Sequence, residues 1–526
     1  MKEFIESGRA SMGIEFGSTR IKAVLIDDNF HVVAQGAHDW ENSLVDGVWS
    51  YSLEEIESGV RDAYAKCAAD ALARHGAKLT RLAALGVSGM MHGYLPFDAD
   101  GKLLVPFRTW RNVMTAEAAA ELSEMFRFNV PQRWSIAHYC QAILKKEPHV
   151  PNVRWLTTLA GYVHYRLSGE NVMGVGEASG MFPVDPETGD YNARMLAAFD
   201  AKFGGSLGEK LPKVLKAGER AGVLTERGAK WLDPTGALQP GAVMAPPEGD
   251  AGTGMVATNS ITPGTGNISA GTSVFAMIVL EHELSKVHVE IDNVATPDGK
   301  PVAMVHCNNC TSDSNAYAEM LSGFAAAAGA KVSMNQVYEA IFGAALQGEA
   351  DCGGVINVNY FSGETITGLD EGRPMLVRLP DARFTFANMA RSLLYGAVAT
   401  LKLGMDILTE EEKVRIVSLL GHGGFFKTGT SGQQLMAAAL NTPVSVMKTA
   451  GEGGPWGMAV LTAYAVRREK GETLGDYLKN RVFAGAEGST IEPKAEDVAG
   501  FNAYIRQFKA VLPAEKAAVS GLTGNK

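Results

Sequence analysis

No run of apolar residues in this 526-residue chain approaches the roughly 20 that a membrane-crossing helix needs. The opening stretch MKEFIESGRAS also lacks the apolar centre of a secretory signal, so a cytoplasmic protein is expected. Cysteine is scarce. Of five, Cys67, Cys140 and Cys352 stand alone, which argues against a disulfide framework. Cys307 and Cys310 form a C-x-x-C, the pattern of a redox pair or half a zinc site. No second pair with similar spacing is there to complete a structural zinc site. A block of Lys and Arg is missing too. The formal net charge is −10 and no segment would track a phosphate backbone, so nucleic acid is not an expected partner. An acidic chain can still hold a nucleotide locally, through backbone N–H groups, a few cations and a metal ion.

What is present is ordinary for a globular protein: 46% hydrophobic and 20% charged residues. The length is too great for one core and predicts two large domains. Residues 12–16, 20–26 and 31–35 read as strands separated by Gly17-Ser18-Thr19 and Asp27-Asp28-Asn29, a β-meander. A helix follows, with Ser52 and Glu55 as a capping box and Gly76 as its terminating glycine. Leu82–Val87 reads as a buried strand. Three strands, a helix and another strand make an α/β layer design. Residues 115–230 read as helix and loop without clear assignment.

The second half echoes the first. Asn267–Ala270 and Val274–Leu280 read as strands around Gly271-Thr272-Ser273, like the strands around Gly17-Ser18-Thr19, which suggests an internal duplication. Residues 386–408 predict a long helix from the spacing of Leu393, Leu394, Ala397, Leu401 and Met405. Val414–Leu420 and Val444–Met447 read as strands, with a helix over 432–440 between them. The segment 451–457 reads as a loop entering a helix that runs to Val466. The polar tail beyond Lys470 predicts surface helices.

Phosphates need several donors converging on one place, where glycine lets the backbone approach and Ser or Thr adds hydroxyls. Four stretches offer this: Gly17–Thr19, Gly249–Gly254, Gly271–Ser273 and Gly421–Gly424. Each alone is better explained by a hairpin turn. None is a P-loop, and no complete G-x-G-x-x-G opens a βαβ unit, which disfavours a nicotinamide dehydrogenase.

Taken in order, these motifs resemble the FGGY carbohydrate kinases, of the actin and Hsp70-like ATPase fold. Met12–Thr19 is similar to the opening phosphate motif of that family. Gly89-Met90-Met91-His92-Gly93 resembles the Q-M-H-G segment of its xylulokinases, Gly249–Gly254 the G-D-x-x-x-G around the catalytic aspartate, and Gly271–Ser273 the second phosphate turn. Tyr360–Glu364 resembles Y-L-S-G-E, and Arg391–Gly396, Gly421–Gly424 and Gly451–Gly457 follow in family order, so the likeness runs over roughly residues 11–470.

The resemblance implies two actin-like (ribonuclease H-like) α/β domains around a central cleft, 1–257 holding the sugar and 258–526 mainly ATP. It implies an ATP- and Mg²⁺-dependent kinase acting on a sugar hydroxyl, of a ketose such as xylulose. Ribulose, fuculose, rhamnulose and glycerol are the alternatives, as is a catalytically weak sugar or nucleotide sensor. A chaperone-type ATPase would carry a separate peptide-binding domain, and none is evident. A small-molecule sugar is the expected partner, with neither nucleic acid nor membrane, and a homodimer is allowed.

A sugar hydroxyl is a poor nucleophile, and phosphoryl transfer needs positioning, charge neutralisation and an acceptor for the proton. Asp250 suits the last role; on the residues alone it is equally an Asx-turn residue. Glu15 stands where the family has Asp and implies a metal site, since hard oxygen ligands suit Mg²⁺. Met91, His92, Trp110 and Arg111 are implied as sugar contacts. Phosphate and nucleotide contacts are implied for Gly17, Ser18, Thr19, Arg20, Gly271, Thr272, Ser273, Gly423, Gly424, Gly453 and Gly454. The family's W-N-D-G-R keeps only Trp110, with Arg111 and Asn112 following. Tyr395 stands where Glu is usual and Phe425 where Ala is usual. Sites built to bond particular hydroxyls discriminate strongly, so these departures bear on the substrate.

Overall fold

A computed structural model describes residues 1–447 and 453–522. The chain forms two compact units. They are not the consecutive blocks 1–257 and 258–526. The first comprises Met1–Ile261, Asp292–Val302 and Glu452–Ala486; the second comprises Thr262–Ile291, Ala303–Gly451 and Glu487–Lys526. The helix Gly453–Arg467 belongs to the first unit because it seats on the strand Ser11–Phe16. A Cβ on Gly13 would lie 2.2 Å from Pro455 O and 2.4 Å from Ala459 N, so only glycine admits this helix.

In the first unit the sheet runs Val243–Met244, Ala84–Gly89, Ser11–Phe16, Arg20–Ile26, Val32–Asp39. The last three are antiparallel; Ala84–Gly89 runs parallel to Ser11–Phe16. The third strand extends to Asp39, beyond the expected 31–35, because Arg20 to Ile26 continue to pair with it. Helix Leu53–His75 has the expected capping box and ends on Gly76 at φ 64°. Gly36 takes it closely, since a Cβ there would stand 2.2 Å from Ala63 O. Gly13 pairs through Val24 with Gln35, the neighbour of Gly36, so alternation along the strand puts the two close approaches on opposite faces.

In the second unit the strands run Pro301–Cys307, Val274–Val279, Thr265–Ala270, Ser418–His422, Val444–Met447, Gly488–Ile491. Thr265–Ala270 and Val274–Val279 form an antiparallel hairpin, with Ser418–His422 parallel to the first. That repeats the hairpin-plus-parallel-strand plan of the first unit. The strand expected from Val414 begins at Ser418, because Val414 N–H is held by Leu408 O (2.8 Å) and Val417 N–H by Gly264 O (2.7 Å).

The tail is not a set of surface helices. Helix Ala495–Gly521 buries Phe501, Tyr504, Ile505 and Phe508 in the core of the second unit. Tyr395 lies in that core, 4.7 Å from Phe501 and edge-on to it, and Phe425 packs edge-on to Phe342. Tyr395 is therefore a packing residue, while Phe425 is buried and also lines a cavity beside Gly424. Among the described residues no helix is long and apolar enough to cross a membrane.

Candidate functional site

Three parallel strand ends of the first unit stand in line. Phe16 is opposite Gly89, and Gly89 is opposite Gly249. The residues that follow each strand therefore meet: the turn Gly17–Thr19, the segment Met90–Gly93, and Asp250. Ligands of open α/β sheets bind outside such carboxyl ends. One step back, Ser88 pairs on one side with Glu15 and on the other with Glu248.

Asp250 is not a turn residue. It is the first residue of helix Asp250–Ala257, after Gly249 as the N-cap. Its carboxylate accepts from Ala251 N–H (2.9 Å) and from the Met91 backbone N–H. The side chain reaches solvent, yet the protein closes round it, and this desolvation lifts the carboxyl to about 6 against those two donors. Glu15 is half-buried. Burial pushes it up to about 8, with Asp250 adding a like charge and Lys22, its cross-strand neighbour, opposing. Its carboxylate lies against Gly454, where a Cβ would stand 1.5 Å from Oε2. Gly454 and Gly453 open the helix Gly453–Arg467; Gly451 and Glu452 lie outside the described residues.

Met91 is buried against Gly249, whose Cβ would fall 2.3 Å from Met91 Cγ. His92 is buried and shares 3.0 Å between Nδ1 and Gly180 O. That contact fixes Nδ1 as the donor. Burial, then the Arg133 guanidinium, lowers this imidazole to about 3, so it is neutral. Tyr94 and Arg108, two residues after His92 and two before Trp110, exchange backbone hydrogen bonds as an antiparallel bridge. Trp110 is 40% exposed. Arg111 is exposed, with its guanidinium 4.0 Å from the Trp49 ring centroid. Asn112, by contrast, is buried and clamps the Trp49 backbone through Oδ1 (2.9 Å) and Nδ2 (2.8 Å), so it is not available to a sugar hydroxyl.

The turn Gly17–Thr19 is held by residues that sequence reading missed. Trp40 Nε1–H donates to Gly17 O (2.8 Å) and Tyr51 O–H to Ser18 O (2.6 Å), and the two rings stack at 4.0 Å. Gly17 N–H closes the turn on Arg20 O (3.0 Å), while Ser18, Thr19 and Arg20 are exposed and Arg20 pairs with Asp39. Two buried carboxyls were missed as well. Glu248 accepts from Glu177 N–H (3.0 Å) and is pushed up to about 8 by burial. Glu177 lies against Gly249 and is raised well above the carboxylate range, by burial above all, with Asp250 and Glu248 adding. The only sequence signal was the run Gly174, Gly176, where a Cβ would collide with Glu248.

In the second unit Gly271, Thr272, Gly424, Asn315, Tyr338 and Lys427 are among the residues lining a cavity of about 650 Å³. Gly423 has φ 97° and packs against Ala270, where a Cβ would meet the Ala270 carbonyl oxygen at 2.4 Å. Ser273 does not line the cavity; its carbonyl accepts from Gly271 N–H (2.9 Å). Cys310 N–H bonds Thr272 O (2.9 Å) and Thr311 N–H bonds Gly271 O (3.0 Å), so the C-x-x-C segment buttresses this turn. Glu364 accepts from Asn308 N–H (2.9 Å) and Asn309 N–H (3.4 Å), tying in Tyr360–Glu364. All five cysteines are unpaired and buried, and burial raises the Cys307 and Cys310 thiols. A thiol reagent is expected to label none of them in the native protein and all five after unfolding. Rapid native labelling of Cys307 or Cys310 would instead indicate redox chemistry.

The comparisons with known proteins agree with this geometry. The N-terminal domain of the FGGY family of carbohydrate kinases matches residues 10–235 and its C-terminal domain residues 266–466, together most of the chain. The xylulose kinase of Haemophilus influenzae is 22% identical over 434 residues, covering 80% of this chain and 83% of its own. That of Escherichia coli is 25% identical over 487 residues, covering 87% and 90%. The ligand-bound xylulose kinase of Lactobacillus acidophilus shares the fold, with a TM-score of 0.80 at 18% identity over 97% of this chain and 99% of that one. The chain belongs to the FGGY family of carbohydrate kinases, built on two actin-like domains and using ATP with Mg²⁺ to phosphorylate a sugar.

Proposed function

We propose that Asp250 is the general base of this kinase and that the acceptor is a ketose such as xylulose, lying against Met91, His92, Trp110 and Arg111. The observation behind the assignment is the alignment of Phe16, Gly89 and Gly249, which brings the one solvent-reaching carboxylate of the Glu177, Glu248 and Asp250 group onto the Met91 backbone N–H, in the segment that carries the neutral His92. A base must be near its own titration range at working pH, and a carboxyl raised to about 6 is better matched to a hydroxyl than an ordinary one. Neutral His92 adds an imidazole that can bond a hydroxyl without bringing a positive charge. The ketose assignment leans on the xylulose kinases among the relatives.

On this reading Gly17, Ser18, Thr19 and Arg20 are the phosphate contacts of the first unit, and Gly271, Thr272 and Ser273 are nucleotide contacts of the second. The adenosine takes the cavity beside Gly424 and Gly423, and Gly453 and Gly454 form a further nucleotide contact. Glu15 is the residue fitted to hold Mg²⁺. Two carboxyls near one another, with only Lys22 opposing, make a place where a cation is favoured, and Mg²⁺ asks for only one or two protein carboxylates. When bound, Mg²⁺ would neutralise phosphate charge. The chain's own part is to orient the hydroxyl with His92 and take its proton at Asp250 Oδ. A cytoplasmic enzyme fits the unpaired thiols; a homodimer is tested by light scattering.

The test is sugar-dependent ADP release in Mg²⁺ across pentuloses, hexuloses and polyols. Xylulose is expected among the best acceptors, and no release with any of them by folded protein would favour a sensor. His92→Ala and Trp110→Ala are each expected to raise the acceptor KM by about tenfold or more while the ATP KM stays near native, because an imidazole bonds hydroxyls and an aromatic face packs on sugar C–H groups. Equal effects on both substrates would make these residues structural.

A further inference from the structure

We propose that the hairpin Ser43–Ser50 is an acceptor-specificity element that works through Arg111, with Asn42 and Trp49 as positioning residues. This rests on the placement of the acceptor beside Arg111. The guanidinium is held on two sides. Its Cζ lies 4.0 Å from the Trp49 ring centroid, and its Nη1–H donates to Asn42 Oδ1 at 2.9 Å. Among the described residues it has no carboxylate partner, and it is exposed. A flexible surface arginine loses much rotamer freedom when it binds; one already fixed by stacking and an amide has less left to lose. Its remaining N–H groups form a fork suited to two adjacent acceptor oxygens, a vicinal diol or a carboxylate.

The hairpin is itself a rigid support. Strands Ser43–Val45 and Val48–Ser50 are joined by Asp46-Gly47, both at positive φ (49° and 79°), the tight two-residue turn whose twist matches the strands. Buried Asn112 clamps both backbone groups of Trp49, and Thr109 N–H adds a bond to Trp49 O at 3.2 Å. The segment Thr109–Asn112 and the hairpin are therefore one body. Asn42 also bonds the Tyr51 hydroxyl group, which donates to Ser18 O, so the support of Arg111 is continuous with that of the Gly17–Thr19 turn. The motif Trp110-Arg111-Asn112 is thus divided in role: Asn112 locks the hairpin, and the hairpin aims Arg111.

The test measures KM for xylulose and for xylonate, its carboxylate-bearing counterpart, with ATP KM, kcat and Tm, in Arg111→Ala, Trp49→Leu, Trp49→Phe, Asn42→Ala and the Arg111→Ala/Trp49→Leu double variant. Arg111→Ala and Trp49→Leu are each expected to raise the KM of the preferred acceptor about tenfold, with the double variant no worse than Arg111→Ala alone. Trp49→Phe should recover most of the loss because it keeps an aromatic face, and ATP KM should stay within about twofold of native. A larger effect on xylonate identifies the carboxylate as the paired oxygens, and a larger effect on xylulose the diol. An acceptor KM that rises in Arg111→Ala but not in Trp49→Leu or Asn42→Ala overturns the inference and leaves the acceptor placement standing. Additive losses in the double variant also overturn it, as does a joint rise of both KM values with a fall in Tm. An unchanged acceptor KM in Arg111→Ala overturns the placement and the inference together.

Discussion

Asp250→Asn is expected to lower turnover by about 10² to 10⁴, the usual worth of general-base catalysis, equivalent to about 3 to 5 kcal/mol of barrier. The amide keeps the size of the side chain and can still hold the acceptor hydroxyl, so acceptor affinity should change little. The pH dependence separates this from a structural effect. A base must be ionised to act, and burial has lifted Asp250 to about 6, so native turnover should fall as pH drops through about 6. The variant should lose that limb. Stability should not suffer either. A carboxyl with a folded pKa above its unfolded value binds protons more tightly in the native state, so its ionisation opposes folding at neutral pH; a neutral amide removes that cost. The expected melting temperature is therefore equal to native or slightly higher. Near-native turnover with a lowered melting point would take Asp250 out of the mechanism.

Local chemistry explains what could be seen in advance. The capping box of Ser52 and Glu55, the terminating Gly76 and the turns at Gly17–Thr19 and Gly271–Ser273 are written within a few residues of one another, and the structure has them where expected. The alignment of Phe16, Gly89 and Gly249 is not, because strand register joins residues 73 and 160 positions apart and no local pattern encodes it. Asp250 was visible as a residue type; its place at a helix start, accepting from the Met91 N–H, was not. Tyr395 and Phe425 looked like substrate determinants because they break a motif. Both are buried against residues remote in sequence, Phe501 and Phe342, and Phe425 also lines the cavity beside Gly424. The same holds for the tail: Phe501, Tyr504, Ile505 and Phe508 lie on one stripe of a helix that also carries Glu496, Asp497, Arg506, Lys509 and Lys516, so mean polarity concealed a buried face. Arg111 and Asn112 show the limit most sharply. Adjacent in sequence and both substituted, one is exposed and the other buried, and only the Trp49 contacts tell them apart.

Gly454→Ala should be the second large loss of activity, through Glu15 rather than through the fold. The added Cβ would stand 1.5 Å from Glu15 Oε2 and 3.1 Å from Thr253 Oγ1. The near contact is the free end of a flexible side chain, so the protein can relieve it by swinging the carboxylate away. Gly454 lies in helix Gly453–Arg467 without a positive φ, where alanine is the better helix former by about 1 kcal/mol. The melting temperature should therefore hold or rise while turnover falls by about 10²-fold, the cost of misplacing a reacting group by about an ångström. Glu15→Ala should bring a similar loss and a higher Mg²⁺ requirement. Because both variants remove the same carboxylate, the pair together should be no worse than Glu15→Ala alone. Glu15→Asp keeps the carboxylate on a shorter arm. It should retain or raise activity by itself, and it should restore part of the activity of Gly454→Ala by giving the new methyl group room. Turnover across a Mg²⁺ titration for the two single variants, their combination and the Glu15→Asp/Gly454→Ala pair decides the matter. A fully active Gly454→Ala, or a Glu15→Ala with native Mg²⁺ dependence, would move the metal away from Glu15.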